Sequence, residues 1–335
     1  MAKSTFIDAT PDTTCFTFGD GKPVAEIEPG ELVRVRTLDC FGGQVRSVDD
    51  LPSQVCRWPQ LNPVTGPLYV RGAQAGDALA VHLVDLTPAA DVGYSSTFPH
   101  FGALTGTEAT AMLHPPLEEV VWRYPIDLER RTLRFEARRS VSPFVRVLPL
   151  APMLGTIGVA PAGGETRMSI VPGAHGGNLD SPVVCAGTTV YLPVNVDGAL
   201  LAVGDGHARQ GDGELCGVAV EVPMDVRLVV EVLPGVNPGW PRFETDDRIG
   251  AFGIARPLED AYRSAHRRLV DDVAAMAGID TLDAYQFVSQ VNQARIGNVV
   301  DEQYTITASV ATDLLLGAEP YYGAHRGLRE IGRAA

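Results

Sequence analysis

Lysine is almost missing from this 335-residue chain: Lys3 and Lys22 stand near the N-terminus and none follows. That argues against a hydrolase whose serine nucleophile is activated by lysine, because Ser95 and Ser96 have no lysine near them in sequence. No run of about 18 apolar residues occurs, so no membrane-spanning helix is expected. The N-terminus carries no apolar stretch of signal-peptide length, and the expected location is the cytoplasm. The five cysteines, Cys15, Cys40, Cys56, Cys185 and Cys216, form no CxxC pair and read as structural thiols. Positive charge is scarce as well. With 27 Lys and Arg against 41 Asp and Glu the net charge is -14, which disfavours nucleic acid and anionic membranes as partners. There is no low-complexity tract, heptad or fixed repeat. The glycines of residues 149–165 fit neither a Rossmann nor a Walker spacing, so a nucleotide site is not expected; a tight apolar lining is.

Glycine (35) and proline (25) are together about half again as frequent as in an average protein, which favours short strands and turns. Strict alternation marks a strand at 32–36. Further strands are expected at 68–71, 78–84, 188–194 and 217–232, the last with Val218, Val220, Val222, Val226, Leu228 and Val230 inward, and also within 125–147 and at 304–310. The character changes near residue 258. Leu258, Tyr262, Ala265, Leu269, Val273 and Met276 recur at helical spacing, with Gly278 as a stop, and a second helix after Asp280 places Leu282, Tyr285, Val288 and Val291 on one face. The expected fold is mainly β: a β-sandwich or jelly-roll-like core with an α/β C-terminal portion. Residues 1–335 are read as one catalytic unit, divisible at most into 1–150 and 151–335.

Chemistry concentrates in residues 172–226. Within about forty residues stand His175, Asn178, Asp180, Asp205, His207, Gln210, Asp212 and Glu214, set among glycines. Glycine takes positive φ freely, so both polar clusters are expected on turning loops at strand ends, aiming their side chains at one point. Asp39, before Gly42-Gly43, is read either as a turn-capping residue or as an added carboxylate of the site. His100, in an aromatic loop, is a candidate pocket residue. His82 is expected to be a solvent-side or satisfied strand histidine, and His266, His325 and the arginines Arg263, Arg267 and Arg268 are expected to be solvated or interface charges.

HGGNLD at 175–180, GALLAVGDGHARQGDGE at 198–214, PMLGTIGVAP at 152–161 and RIGNVVD at 295–301 resemble the patterns of the acetamidase/formamidase family. The resemblance implies hydrolysis of a short primary amide on a β-sandwich, with a bound divalent metal, in a cytoplasmic homo-oligomer. Two positions depart from the pattern: Cys40 stands where a small apolar residue is expected, and Asn298 where glutamine is usual. They bear on the pocket more than on the reaction.

An unactivated amide needs a strong nucleophile, a stabilised oxyanion and a proton for nitrogen. A Zn²⁺-like ion supplies the first two. Asp180, Asp205 and His207 are the candidate ligands, leaving a place for water; Ca²⁺ and Mn²⁺ also accept such sets. Glu214 is the candidate base and proton donor, and His175 the candidate oxyanion binder or ligand of a second ion. Asn178 and His100 are candidate substrate contacts. Two other readings of the cluster are a cupin-like oxygenase, which would use more histidine, and a Ca²⁺-stabilised binding module. A cysteine nucleophile is not expected, since Cys185 and Cys216 sit in apolar strand context.

Overall fold

The computed structural model describes residues 4–105, 115–315, 317 and 319–334. Two large antiparallel-rich sheets dominate it. One has nine strands, running from the edge strand Ser4–Ile7 through Leu32–Arg36, Met224–Leu233, Ala78–Pro88, Thr189–Pro193, Arg242–Glu244, Arg248–Ala255 and Tyr304–Ala311 to Gln293–Asn298. The other, of eleven strands, is organised around Leu201–Arg209. That strand pairs with Met153–Gly158, with Val64–Val70 and with Val220–Glu221. Strands from both sides of residue 150 contribute to each sheet.

The expected period of two explains how the sheets stack. In Leu32–Arg36 it buries Val33 and Val35, and in Met224–Leu233 it buries Val226, Leu228 and Val230. These side chains form one core with Leu154, Ile157, Leu201 and Val203 from the other sheet, so the architecture is a sandwich. Residues 149–165, expected as a lining, supply the fully buried strand Met153–Gly158.

The helix Leu258–Ala277 lays Ala261, Ala265, Leu269 and Val273 on the end of the nine-stranded sheet and stops at Gly278 in left-handed conformation, as expected. Asp280 caps the next helix, Thr281–Val291, by accepting from Leu282 N at 2.8 Å. The stripe expected on it is only partly used. Ala284 and Val288 dock, whereas Leu282 is 75% and Tyr285 63% exposed, because so short a helix touches the sheet along one narrow line. Arg268 also departs from expectation. It lies over the Trp240 ring and donates to Phe252 O, covering the core edge with its stem. Among the described residues no helix is long and apolar enough to cross a membrane.

The C-terminal helix Ala324–Ala334 covers the outer face of the nine-stranded sheet through Leu328. His325, expected in a solvated tail, is buried and joins Thr189 Oγ1 (2.8 Å) to Asp246 Oδ1 (3.1 Å), while His82 meets the same hydroxyl at 2.9 Å. His82 is thus a satisfied strand histidine. Beside it the Tyr191 hydroxyl donates to Glu244 Oε2 at 2.6 Å. Burial, with the charge of Glu319, pushes the Glu244 carboxyl up to about 7. Because the folded protein holds this proton more tightly than the unfolded chain, its contribution is present below pH 4.5 and is lost as pH rises through about 7. Glu244→Gln should therefore flatten the fall in stability across that window by roughly 3 kcal/mol, read by denaturant unfolding at pH 5 and pH 8; an unchanged slope would assign the loss elsewhere.

Candidate active site

The glycine-rich run expected as a loop is, in its first half, the central strand Leu201–Arg209, with Asp205 and His207 in its middle. Its glycines serve close approach rather than turning. A Cβ on Gly204 would lie 2.6 Å from Pro63 O, and one on Gly206 2.6 Å from Val222 O, so only glycine lets the neighbouring chains come this near. Positive φ falls instead on the acids: Asp180 at 41°, Asp205 at 61° and Glu214 at 47°. Such backbone is costly for a residue with a Cβ, and it turns each carboxylate inward.

The floor beneath them is Gly155. Its carbonyl accepts from Leu179 N and Asp180 N (2.8 and 3.1 Å), and the position of its absent Cβ lies 2.2 Å from Asp205 Oδ2 and 2.5 Å from Asp180 Oδ1. The two carboxylates occupy the space a side chain would fill. Ligand atoms of Asp180, Asp205 and His207 all lie within 4.8 Å of one another. A second group of His207, Glu214 and Glu221 meets the same limit. Glu214 is aimed by a clamp: Gly213 N donates to Ile296 O and Gly297 O, Val299 N donates to Gly213 O, and Arg295 pairs with Asp212 at 2.7 Å.

The protonation of His207 can be read from its neighbour. Gln210 Nε2 donates to Asp180 O and Gly297 O, which turns Oε1 toward His207 Nδ1 at 2.9 Å. Nδ1 is therefore the N–H, and Nε2 faces Asp205 Oδ1 (3.2 Å) and Glu221 Oε1 (3.3 Å). Burial alone would lower the imidazole; the charges of Glu221 and Asp205 overcome it and raise His207 well above its ordinary value. Burial acts the other way on the acids. It raises Asp180 and Glu214 well above the usual carboxylate range, and Glu221 and Asp301 to about 7, each acid adding to the others' load. Asp205 is held low against burial by His207.

Five carboxylates and one imidazole thus share a site in which none is more than 6% exposed. Within it Asp180 Oδ1, Asp205 Oδ1, His207 Nε2 and Glu221 Oε2 have no hydrogen-bond partner among the described residues. Buried polar atoms left unsatisfied cost about 1–3 kcal/mol each, and a set of this chemistry fits a divalent cation.

The remaining expected residues are spread differently. Asn178 lies in the cluster but has no free end: its amide donates to Asp180 Oδ2 (2.5 Å) and Asp301 Oδ2 (3.0 Å), and its oxygen accepts from Asn62 and Thr156. It holds the acids rather than offering itself to a ligand. His175 is buried against the edge of Phe18 (5.1 Å between centroids) and the close-packed Gly173 and Gly177, and it joins none of the ligand groups. Burial takes its pKa down to about 4. His100 is exposed, on a turn whose Phe101 rests on Gly217, just beyond Glu214. Asp39 combines both of its readings. It caps the turn by accepting Gly43 N at 2.9 Å, and it is buried close enough to Asp205 that burial and that charge lift it to about 6.

Glu221 and Asp301 join the site with no expectation behind them, and Cys40, expected to bear on the pocket only, joins the acids. Glu221 sits opposite His207 in the sheet, and the alternation that buries Val220 and Val222 in the core already sends its side chain to the other face. Asp301 closes the RIGNVVD run. The Cys40 thiol, expected as structural, lies with Asp205 and Glu221 within 4.8 Å.

The chain is similar to known proteins in sequence and in fold. The family model described as Acetamidase/Formamidase matches residues 18–164 and 149–242. An acetamidase structure from Yersinia enterocolitica is 38% identical, with a TM-score of 0.87 over 94% of this chain and 93% of that one. One from Bacillus halodurans is 30% identical, with a TM-score of 0.81 over 94% and 99% of the two chains. An acetamidase of Mycolicibacterium smegmatis is 28% identical over 262 residues, 63% of each protein. The aligned region spans less than two thirds of the length of the curated relatives.

Proposed function

The chain belongs to the acetamidase/formamidase family, and from that premise we propose that it hydrolyses a short aliphatic primary amide, of the formamide or acetamide type, to a carboxylate and ammonia. The observation that carries the reading is the buried cluster of Asp180, Asp205, His207, Glu214, Glu221 and Asp301, with four ligand atoms that have no hydrogen-bond partner among the described residues. Asp180, Asp205 and His207 would hold a divalent ion, with Zn²⁺ the first choice and Mn²⁺ or Ca²⁺ the alternatives for so oxygen-rich a set. When bound there, the ion supplies Lewis acidity toward an amide carbonyl and acidifies water.

The chain's own residues do the rest. Gln210 fixes the orientation of His207 by accepting from Nδ1, so that Nε2 is the nitrogen turned to the acids and would give up its proton to a bound ion. Asn178, itself held by Asn62 and Thr156, ties Asp180 to Asp301 and keeps both in register. Glu214 lies within reach of the same point as His207 and is the group that moves protons. Water oxygen bonds to the carbonyl carbon while its proton passes to Glu214; Glu214 returns that proton to nitrogen, the C–N bond breaks and ammonia leaves.

The test is ammonia release from formamide, acetamide and longer primary amides, on protein of measured metal content, before and after chelation. Turnover should vanish with the chelator and return with one divalent ion. Full turnover by metal-free protein would overturn the ion's part, and no ammonia from any amide would overturn the reaction.

A further inference from the structure

Cys40 belongs to a third ligand group, one that shares Asp205 with the first. Its Sγ and one oxygen each of Asp205 and Glu221 are within 4.8 Å of one another, and it shares no such group with Asp180 or His207. Two ligands of one Zn²⁺ stand at most about 4.6 Å apart, given metal–ligand lengths of about 2.0–2.3 Å, so the two groups describe neighbouring positions rather than one. Two features make the second position a built one. Glu221 Oε2, on a side chain more than nine-tenths buried, has no hydrogen-bond partner among the described residues. The thiol's backbone is also pinned on both sides: Asp39 accepts Gly42 N and Gly43 N, and Cys40 O accepts Asn62 N at 2.8 Å.

We propose that Cys40, Asp205 and Glu221 bind a second, thiophilic divalent cation beside the first, with Asp205 offering one oxygen to each. The proposal rests on the reading of the Asp180, Asp205 and His207 group as a cation site. Thiolate is a soft ligand, so this position favours Zn²⁺, Cd²⁺ or Co²⁺ over Ca²⁺ and Mg²⁺. On binding, the S–H bond of Cys40 breaks, sulfur keeps the electron pair as the ligand, and the proton leaves to solvent.

Cobalt is the probe. Metal-free protein titrated with Co²⁺ should take two equivalents and develop the near-ultraviolet charge-transfer absorption of a thiolate–cobalt bond. Cys40→Ser should take one equivalent and lose that absorption. Protein with Cys15, Cys56, Cys185 and Cys216 all changed to Ser, keeping Cys40 as its sole thiol, should retain both features, which keeps the test decisive if Cys40→Ser fails to fold. A wild type that binds one equivalent, shows no thiolate band, or has a band that survives Cys40→Ser overturns the proposal. Ammonia release measured on the same samples separates the two readings. Turnover without a thiolate band removes the Cys40 site and leaves the amidase standing; the band without turnover does the reverse.

Discussion

A single methyl group at position 155 should cost amide hydrolysis at least about 100-fold. In Gly155→Ala the new Cβ would stand 2.2 Å from Asp205 Oδ2 and 2.5 Å from Asp180 Oδ1, distances that no packed side chain tolerates. Gly155 is not in the left-handed region, so its strand backbone accepts alanine and the carboxylates must move instead. Neither can move far. Asp180 is tied through Asn178 and through its backbone N–H to Gly155 O, and Asp205 sits mid-strand between Gly204 and Gly206. Displacing a reacting arrangement by about 1 Å is enough for a 100-fold loss. Bound metal should fall together with activity, while circular dichroism stays that of the folded sandwich. Wild-type turnover and metal content in Gly155→Ala would show that the two acids are not where the reaction occurs.

Glu214→Gln should lower kcat by about 10²–10⁴, with metal content and KM close to wild type. The amide keeps the shape and the loop, which is held by main-chain bonds from Gly213 and Val299 rather than by the carboxyl, so a loss confined to kcat would isolate proton transfer. Glu214 is buried with His207 and Glu221 and has no exposed route for its charge, the setting in which a carboxyl is kept protonated until a positive charge arrives. Full activity in the variant with metal bound would move the proton transfer to Glu221 or Asp301.

The fold and much of the site could be read from residue order because two periodicities were strong. Alternation gave the strands Leu32–Arg36 and Met224–Leu233, and the spacing from Leu258 gave the long helix with its Gly278 stop. The grouping of Asp180, Asp205 and His207 was legible as well, though for a reason that needed correction. Of the glycines expected to turn the chain, Gly176, Gly177 and Gly213 do take positive φ, whereas Gly204 and Gly206 are there for what lies above and below them, a property of strands far away in sequence. Glu221 and Cys40 stayed hidden on the same account. Glu221 reaches the cluster through pairing across the sheet and Cys40 through the chain's fold at Asn62, from segments that look like an ordinary strand and an ordinary turn. His175 misled in the opposite sense, since closeness in sequence to Asp180 ends along an extended strand that carries it away to Phe18.

The left-handed backbone at Asp180, Asp205 and Glu214 sets stability and turnover against each other. Asparagine tolerates that conformation better than aspartate's larger relatives do, matches aspartate in shape and carries no charge to repel its neighbours. In protein without its ion, Asp180→Asn or Glu214→Gly would relieve both the crowding of like charges and, for glycine, the backbone itself. Selection for thermal robustness alone would therefore favour changes at Asp180 and Glu214, whereas Asp205, its charge held by His207, would lose by the same change; on the proposed mechanism each gain would cost turnover. Engineering for shelf life should hold them fixed and look for its improvements on the helical face around Leu282 and Tyr285, where exposed apolar surface serves no bond of the site.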